Sequence, residues 1–493
     1  MTSRHVAVID IGKTNAKLAL VDLADLAEIA VITRPNTVLP GPPWPHYDVE
    51  GHWTFLLDGL RRFQAEHGVD AISITTHGAC AALLDHDGKL AAPILDYEHA
   101  GPDTAAADYD AIRPSFTETG SPKLGAGLNI GAQLFWQFRQ DPNLRQRTRH
   151  IVTYPQYWAY RLTGVAATEA TSLGCHTDLW SPFAGAPSSL VARLGIAGIL
   201  APTRPADAIL GCVQPHIATR TGLLPDTPVY CGIHDSNASL LPHLLTQDTP
   251  FSVVSTGTWV IAMAIGGDAV ALDPSRDTLV NVDAFGKPVP SARFMGGREH
   301  DLLLGDQWAE PSEADIAQIL NSATMLLPAV ERSTGPFHGH HARWIGEEPA
   351  LQSGGRSAAV GFYLALMTAA CLALIGHRGP IRVEGPFARN QCYLDMLAAA
   401  AGTQVYAMTG TTGTSQGAAL LVGRMSRPAS ESLPTATTGT EVYAMIGTTG
   451  TSQGAALLVG RMSRPASEGL PTATTGTERH RSYARQWREN LGQ

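Results

Sequence analysis

An α/β fold of two related domains is what the sequence predicts, and three observations predict it. The chain has 493 residues, too many for one hydrophobic core. A strand–turn–strand unit near the N-terminus, His5 to Asp22, has a counterpart at Phe251 to Ala264. Each unit is followed by helical patterns and further short apolar runs, the alternation that builds layered α/β domains with a cleft between them.

Taken in order, His5-Val-Ala-Val-Ile-Asp10 is a continuous apolar strand and Ile11-Gly-Lys-Thr-Asn15 a tight turn. Ala16 to Asp22 and Glu28 to Thr33 complete an antiparallel meander, and Pro35 to Pro45 is a proline-rich loop. From Trp53, Leu56, Leu57, Leu60 and Phe63 keep helical spacing. Ala71 to Thr76 is a strand ending at His77-Gly78. Ala81 to Leu84 and Leu90 to Leu95 read as two strands around the turn at Asp85 to Gly88. Residues 100–200 read as helices and loops, with Gly164 closing the helix from Gln156. Val229-Tyr230-Cys231 is an apolar run, read as a buried strand, that stops at Gly232 before His234-Asp235. Residues 358–376 form a long apolar helix, Pro380 to Gly385 a strand with a glycine loop, and Asn390 to Ala401 a helix.

The predicted domains are residues 1–243 and 244–478, with a tail at 479–493. Residues 405–441 recur at 442–478 with differences only at Thr409/Ile446 and Ser432/Gly469. Two near-identical copies are not a solenoid, which needs several. One copy supplies a strand and a helix, and the second has no evident place in a sheet.

Bulk properties exclude several classes. Apolar content of 44 % and a mean hydropathy near zero describe an ordinary soluble protein. A net charge of −9 gives no electrostatic reason to bind nucleic acid or an anionic membrane. Six cysteines without a CxxC pair suit a reducing compartment, not a disulfide scaffold or a zinc site. Val360 to Gly376, the most apolar stretch, falls short of a clean membrane span, and Met1 to His5 leads directly into a strand. A cytoplasmic protein is expected, with a homodimer as the default assembly.

Four stretches carry chemistry. In Asp10-Ile-Gly-Lys-Thr-Asn-Ala-Lys17 the small residues let backbone N–H groups approach phosphate oxygens, with Lys13 or Lys17 adding charge; as a lone motif it is also an ordinary hairpin turn. Ser255-Thr-Gly-Thr258 is a second hydroxyl-and-glycine hairpin with the same two readings. Glu384-Gly-Pro-Phe-Ala-Arg-Asn390 is a strand-end loop entering a helix, a place for a nucleoside or simply a cap. Gly232-Ile-His-Asp235 ends a strand with a carboxylate able to take a proton from a substrate hydroxyl.

The order of these elements resembles the ribonuclease-H-like ATPase arrangement of sugar kinases and actin. Within it, Asp10-x-Gly-x-Thr14, Gly232-x-His-Asp235, Ser255-Thr-Gly-Thr-Trp259 and Gly417-Ala-Ala-Leu-Leu421 resemble the FGGY carbohydrate kinases. Thr76 to Asp85 is similar to the sugar-site segment of the rhamnulokinase and fuculokinase branch, with Cys80 where that branch has aspartate. The resemblance implies two actin/hexokinase-type domains and ATP-dependent phosphorylation of a small sugar, a ketose such as L-rhamnulose or L-fuculose. A pentulose such as xylulose or ribulose is the alternative.

By this resemblance Asp235 is the base. Asp10, with Asp235 beside it, holds Mg²⁺. Gly12, Lys13, Thr14, Asn15, Thr256, Gly257 and Thr258 cradle phosphates. Gly385, Asn390 and Gly402 line the nucleoside pocket. His77, Gly78, Glu98, His234 and Asp235 face the sugar, with Asp96 a second candidate beside Glu98. The implied partners are the sugar and ATP. An actin- or chaperone-like ATPase is the rival reading, and a silent sugar sensor a second.

Overall fold

In the computed structural model, the residues described are 3–306, 308–408, 413–425 and 473–492. Most of the duplicated stretch, including 442–472 of the second copy, lies outside them. The chain forms two compact units. One comprises Met1–Thr246, Val280–Pro288 and Thr412–Ser467; the other comprises Gln247–Leu279, Val289–Thr411 and Glu468–Gln493.

The first unit is built on a mixed sheet, seven-stranded among the described residues. The order is Ile209–Cys212, Pro228–Tyr230, Ala71–Thr76, His5–Ile11, Asn15–Asp22 and Glu28–Pro35, and Ile233–His234 also pairs with Ala71–Thr76. Alternation along His5–Ile11 sends side chains to both faces. Ala7, Ile9 and Ile11 pack with Leu56, Leu57, Leu60 and Phe63 of the helix Val49–Glu66. Val6 and Val8 pack on the other side with Ala238, Leu241 and Ala418 to Val422. The helix Val49–Glu66 starts where Asp48 Oδ1 accepts from Gly51 N at 2.9 Å.

The second unit repeats the scheme. Its sheet includes, in order, Pro288–Phe294, Val260–Ile265, Phe251–Thr256, Ile381–Glu384, Val405–Met408 and Ala473–Thr474. The apolar helix Gly354–Leu374 has the length and composition of a membrane span, but it is the core of this unit, with Val360, Phe362, Tyr363, Leu364 and Met367 at most 1 % exposed. Both sheets thus combine an antiparallel hairpin with parallel strands, the two-domain architecture of the actin/hexokinase type.

Four expectations are corrected. The residues expected as a tail form the helix Glu478–Asn490, with Tyr483, Ala484 and Trp487 in the second unit's core. Tyr483 OH donates to Thr324 O at 2.7 Å, and Trp487 Nε1 donates to Leu326 O at 2.8 Å. The helix Gly413–Met425, expected in the second domain, packs through Ala418 to Val422 into the first unit. Leu90 to Leu95 is not a strand: it makes only the isolated bridges Leu84↔Leu90 and His46↔Leu95. Pro93 lacks the N–H that a ladder needs there, and Ala81–Leu84 pairs instead with His150–Thr153. Finally, the last residues of the second copy do find a place, Ala473–Thr474 pairing antiparallel with Tyr406 and Val405.

The C-terminal helix is therefore structural. Trp487→Ala is expected to cost the second unit about 3–5 kcal/mol, read as a lower urea midpoint; a change under about 0.5 kcal/mol would place that helix outside the core.

Candidate functional site

Parallel register assembles the first half of the site. His5–Ile11 pairs with Ala71–Thr76 so that Asp10 stands beside Thr75 and Ile11 beside Thr76. On the other side Ile233 and His234 stand beside the same Thr75 and Thr76. Asp10, His77 and His234-Asp235 therefore emerge at one level from three adjacent strand ends. The apolar run from Val229 stops at Gly232, as expected, and the φ of +87° there and the 2.5 Å approach of a Cβ to Ile74 O admit only glycine.

The Gly12–Asn15 turn is tight. Gly12 N donates to Asn15 O at 2.9 Å, and a Cβ on Gly12 would lie 3.2 Å from the same oxygen. Asn36 fastens the turn from outside: its N donates to Thr14 O and its Nδ2 to Gly12 O, both at 2.8 Å. Asn36 Oδ1 meets His52 Nε2 at 2.8 Å, and Arg34 Nη1 meets His52 Nδ1 at 3.0 Å. Burial, helped by Arg34, pushes the His52 pKa down to about 4, so its ring is neutral and bridges Arg34 to Asn36.

Asp10 is half-buried, and this desolvation raises its pKa to about 7; Lys17 opposes this, and Asp235 and Glu28 add to it. Lys17 Nζ lies 3.9 Å from Asp10 Oδ2 and 3.0 Å from Glu28 Oε1. Asp235 opens the helix Asp235–Thr246. Its Oδ1 accepts from Ser236 N at 2.6 Å and from Ser236 Oγ at 3.3 Å, and lies 3.2 Å from His234 Nε2. None of these contacts uses Oδ2. Two electrostatically linked carboxylates fit a hard divalent cation such as Mg²⁺, which takes one or two protein carboxylates and completes its shell with water and phosphate. Among the described residues no group of three or more ligating side chains forms a protein cage.

The residues expected to face the sugar belong to this unit too. Lys13, expected beside phosphate, pairs with Asp96 Oδ1 at 2.5 Å and Glu98 Oε2 at 3.2 Å, and its Nζ lies 4.5 Å from the Tyr97 ring centroid. Two carboxylates and a ring face hold the ammonium in this position. Asp96 is the buried partner and also accepts from Tyr47 OH at 3.1 Å, whereas Glu98 is exposed. His77 is ringed by Tyr47, Tyr97 and Tyr154 at 5.1–5.4 Å between centroids. Burial keeps it neutral, its pKa down to about 4. Its Nδ1 faces Gly78 O at 2.8 Å, and its buried Nε2 has no hydrogen-bond partner. Gly78 is a spacer: a Cβ there would come within 2.9 Å of His234 Nε2. Cys80, in the position of interest, is buried with its Sγ 3.8 Å from Leu95 O.

The second unit supplies a cavity of about 570 Å³ lined by Gly257, Thr258, Gly297, His300, Asp301, Trp308, Phe387 and Asn390, among others. Thr256 Oγ1 donates to Glu384 O at 2.5 Å and accepts from Phe387 N at 3.1 Å, tying the hairpin to the strand-end loop. Gly385 is required there, since its φ is +83° and a Cβ would sit 1.9 Å from Thr256 O. Asn390 caps the helix Gln391–Ala401, its Oδ1 accepting from Tyr393 N at 3.0 Å. Gly402 does not line the cavity; it is the left-handed C-cap of that helix, with open space around it. The sequence reading missed Gly297, His300, Asp301 and Trp308. The signal was Gly296-Gly297 opening a helix, and Gly297 abuts the hairpin, a Cβ there lying 2.1 Å from Gly257 O.

This geometry is that of a two-domain phosphotransferase fold, and comparison agrees. Residues 5–242 match the N-terminal domain of the FGGY family of carbohydrate kinases, and residues 248–432 match the C-terminal domain. The chain belongs to the FGGY family of carbohydrate kinases. A crystal structure of a carbohydrate kinase from Novosphingobium aromaticivorans is 40 % identical with a TM-score of 0.80, over 84 % of this chain and 93 % of that one. The Plasmodium falciparum glycerol kinase with ADP shares the fold at 14 % identity, with a TM-score of 0.75 over 100 % and 98 % of the two chains. The L-fuculokinase of Salmonella typhi is 26 % identical over 277 residues, 53 % of this chain; the match spans 57 % of that relative's length.

Two outcomes follow. His52 has a folded pKa below the usual 6.5, so its contribution is complete above pH 6.5 and is lost as pH falls toward 4. The Tm of wild type is expected to fall more over that window than that of His52→Gln; parallel curves would contradict the assignment. Gly417 packs against the Asp235 helix so closely that a Cβ would lie 1.7 Å from Ala238 O. Gly417→Ala is expected to displace Asp235 and lower kcat by about 10²-fold, and wild-type turnover would contradict this.

Proposed function

We propose that this protein transfers the γ-phosphoryl group of ATP to a hydroxyl of a small sugar, a ketose of the L-rhamnulose or L-fuculose kind, with Asp235 as general base. The observation that carries the reading is the register that brings Asp10, His77 and Asp235 to one level at three strand ends. Phosphoryl transfer demands positioning and charge neutralisation more than covalent chemistry, and a carboxylate suffices as base.

In this reading Asp235 Oδ1 is held by Ser236 and His234, and Oδ2 takes the proton of the attacking hydroxyl. The neutral His77, the Lys13–Asp96–Glu98 cluster and the Tyr97 ring supply a polar, hydroxyl-binding face for the sugar. The Gly12–Asn15 and Gly257–Thr258 turns cradle phosphate with backbone and hydroxyl groups. The cavity bounded by Phe387 and Asn390 takes the nucleoside. Asp10 and Asp235 hold magnesium, which supplies charge neutralisation for the phosphates when bound.

An ATP-consumption screen over ketoses, polyols and aldoses tests the substrate class. Turnover strictly dependent on a ketose supports it, with pentuloses such as xylulose and ribulose the next class to score. Sugar-independent hydrolysis would point to an actin- or chaperone-like ATPase and contradict it. Asp235→Asn is expected to lower kcat by about 10²–10⁴-fold with the ketose KM little changed; a wild-type kcat would remove Asp235 from the chemistry.

A further inference from the structure

Cys175 is a buried thiol that the reaction scheme above leaves without a task, and its surroundings assign it one. It follows the short helix Ala170–Leu173, whose N-cap is Glu169. Cys175 Sγ lies 3.5 Å from His234 Nε2. The same nitrogen is 3.2 Å from Asp235 Oδ1. The other ring nitrogen, Nδ1, faces Asn237 Nδ2 at 3.2 Å. An amide N–H donating to Nδ1 leaves the ring proton on Nε2, between the sulfur and the carboxylate.

The rest of the histidine is equally fixed. His234 N donates to Thr171 Oγ1 at 3.0 Å, and Thr171 Oγ1 donates to Glu169 Oε2 at 2.5 Å. Gly78 closes another side, since a Cβ there would lie 2.9 Å from His234 Nε2 and 3.0 Å from Cys175 Sγ. The electrostatics favour the contact. Burial opposes a Cys175 thiolate, but His176 and His234 outweigh it and draw the thiol pKa down.

We propose that Cys175 is a positioning residue for phosphoryl transfer: its sulfur accepts from His234 Nε2–H and fixes the imidazole, which in turn holds Asp235 by Oδ1 and leaves Oδ2 for the acceptor's proton. The proposal rests on Asp235 being the base. A thiol that merely fills space would contribute to stability alone. A positioning sulfur contributes to kcat, and another hydrogen-bond acceptor of similar size replaces it.

The test compares Cys175→Val, which keeps the volume but cannot accept, and Cys175→Ala with Cys175→Ser, which accepts. Asp235→Asn is assayed beside them. Val and Ala are expected to lower kcat about tenfold with ketose and ATP KM values within about twofold, and Ser to recover most of the loss. The ¹⁵N resonance of His234 Nε2 is expected to move in the Val and Ala variants and to return toward wild type in Ser. That readout is independent of turnover, and should Val fail to fold, Ala and Ser carry the comparison. Wild-type kcat and an unmoved resonance in Val or Ala, with Asp235→Asn inactive, would overturn the proposal alone. Equal loss in Ser and Ala that tracks Tm would also overturn it, reducing Cys175 to packing. A wild-type rate in Asp235→Asn would instead overturn the base assignment on which it stands.

Discussion

The parallel pairing of His5–Ile11, Ala71–Thr76 and Ile233–His234 sets the level of Asp10, His77, His234 and Asp235. A slip of one residue in either ladder would turn Asp10 or His234 to the opposite face of the sheet. That register is enforced by burial on both faces, through Ala7, Ile9 and Ile11 on one side and Val6 and Val8 on the other. Glycine then permits the close approaches that the register demands. Gly232 passes over Ile74, Gly78 sits against His234, and Gly417 rests on Ala238 at the start of the Asp235 helix. The placement of Asp10, His77 and His234-Asp235 is thus a consequence of core packing several residues away.

The electrostatics follow from that placement. Bringing Asp10 and Asp235 together in a half-buried setting costs ionisation energy, visible in the raised pKa of Asp10 and only partly offset by Lys17. In the proposed reading such a pair takes a cation beside the phosphates. The neutral His52 and His77 serve a different end. Both are hydrogen-bonded within the first unit, and their depressed pKa values keep charge out of those positions.

Much of this was legible in the sequence, for identifiable reasons. Continuous apolar runs such as Val6 to Ile9 and Phe251 to Val254 have a single sensible fate as buried strands. The helices at Val49–Glu66 and Gln391–Ala401 announce themselves by spacing and caps. Long-range partners were not legible. Lys13 lies in a phosphate-like turn, yet its partners are 83 and 85 residues away at Asp96 and Glu98, and local pattern cannot rank them. The helix Glu478–Asn490 is dominated by charge, and His480, Tyr483, Ala484 and Trp487 mark its buried face. The helix Gly413–Met425 joins the first unit although its chain neighbours build the second, a choice made by packing against Ala238 and Leu241. Cys175 was invisible as a partner of His234 because 59 residues separate them.

The central claim is that the acceptor sugar sits at the ends of these three strands with Asp235 as its base. A crystal structure with a turnover-competent ketose bound tests it most directly. The account predicts one sugar hydroxyl within about 2.6–3.2 Å of Asp235 Oδ2, with the ring or chain of the sugar against His77 and the Lys13–Asp96–Glu98 cluster. A sugar bound in the first unit with every hydroxyl beyond hydrogen-bond reach of Asp235 would contradict it.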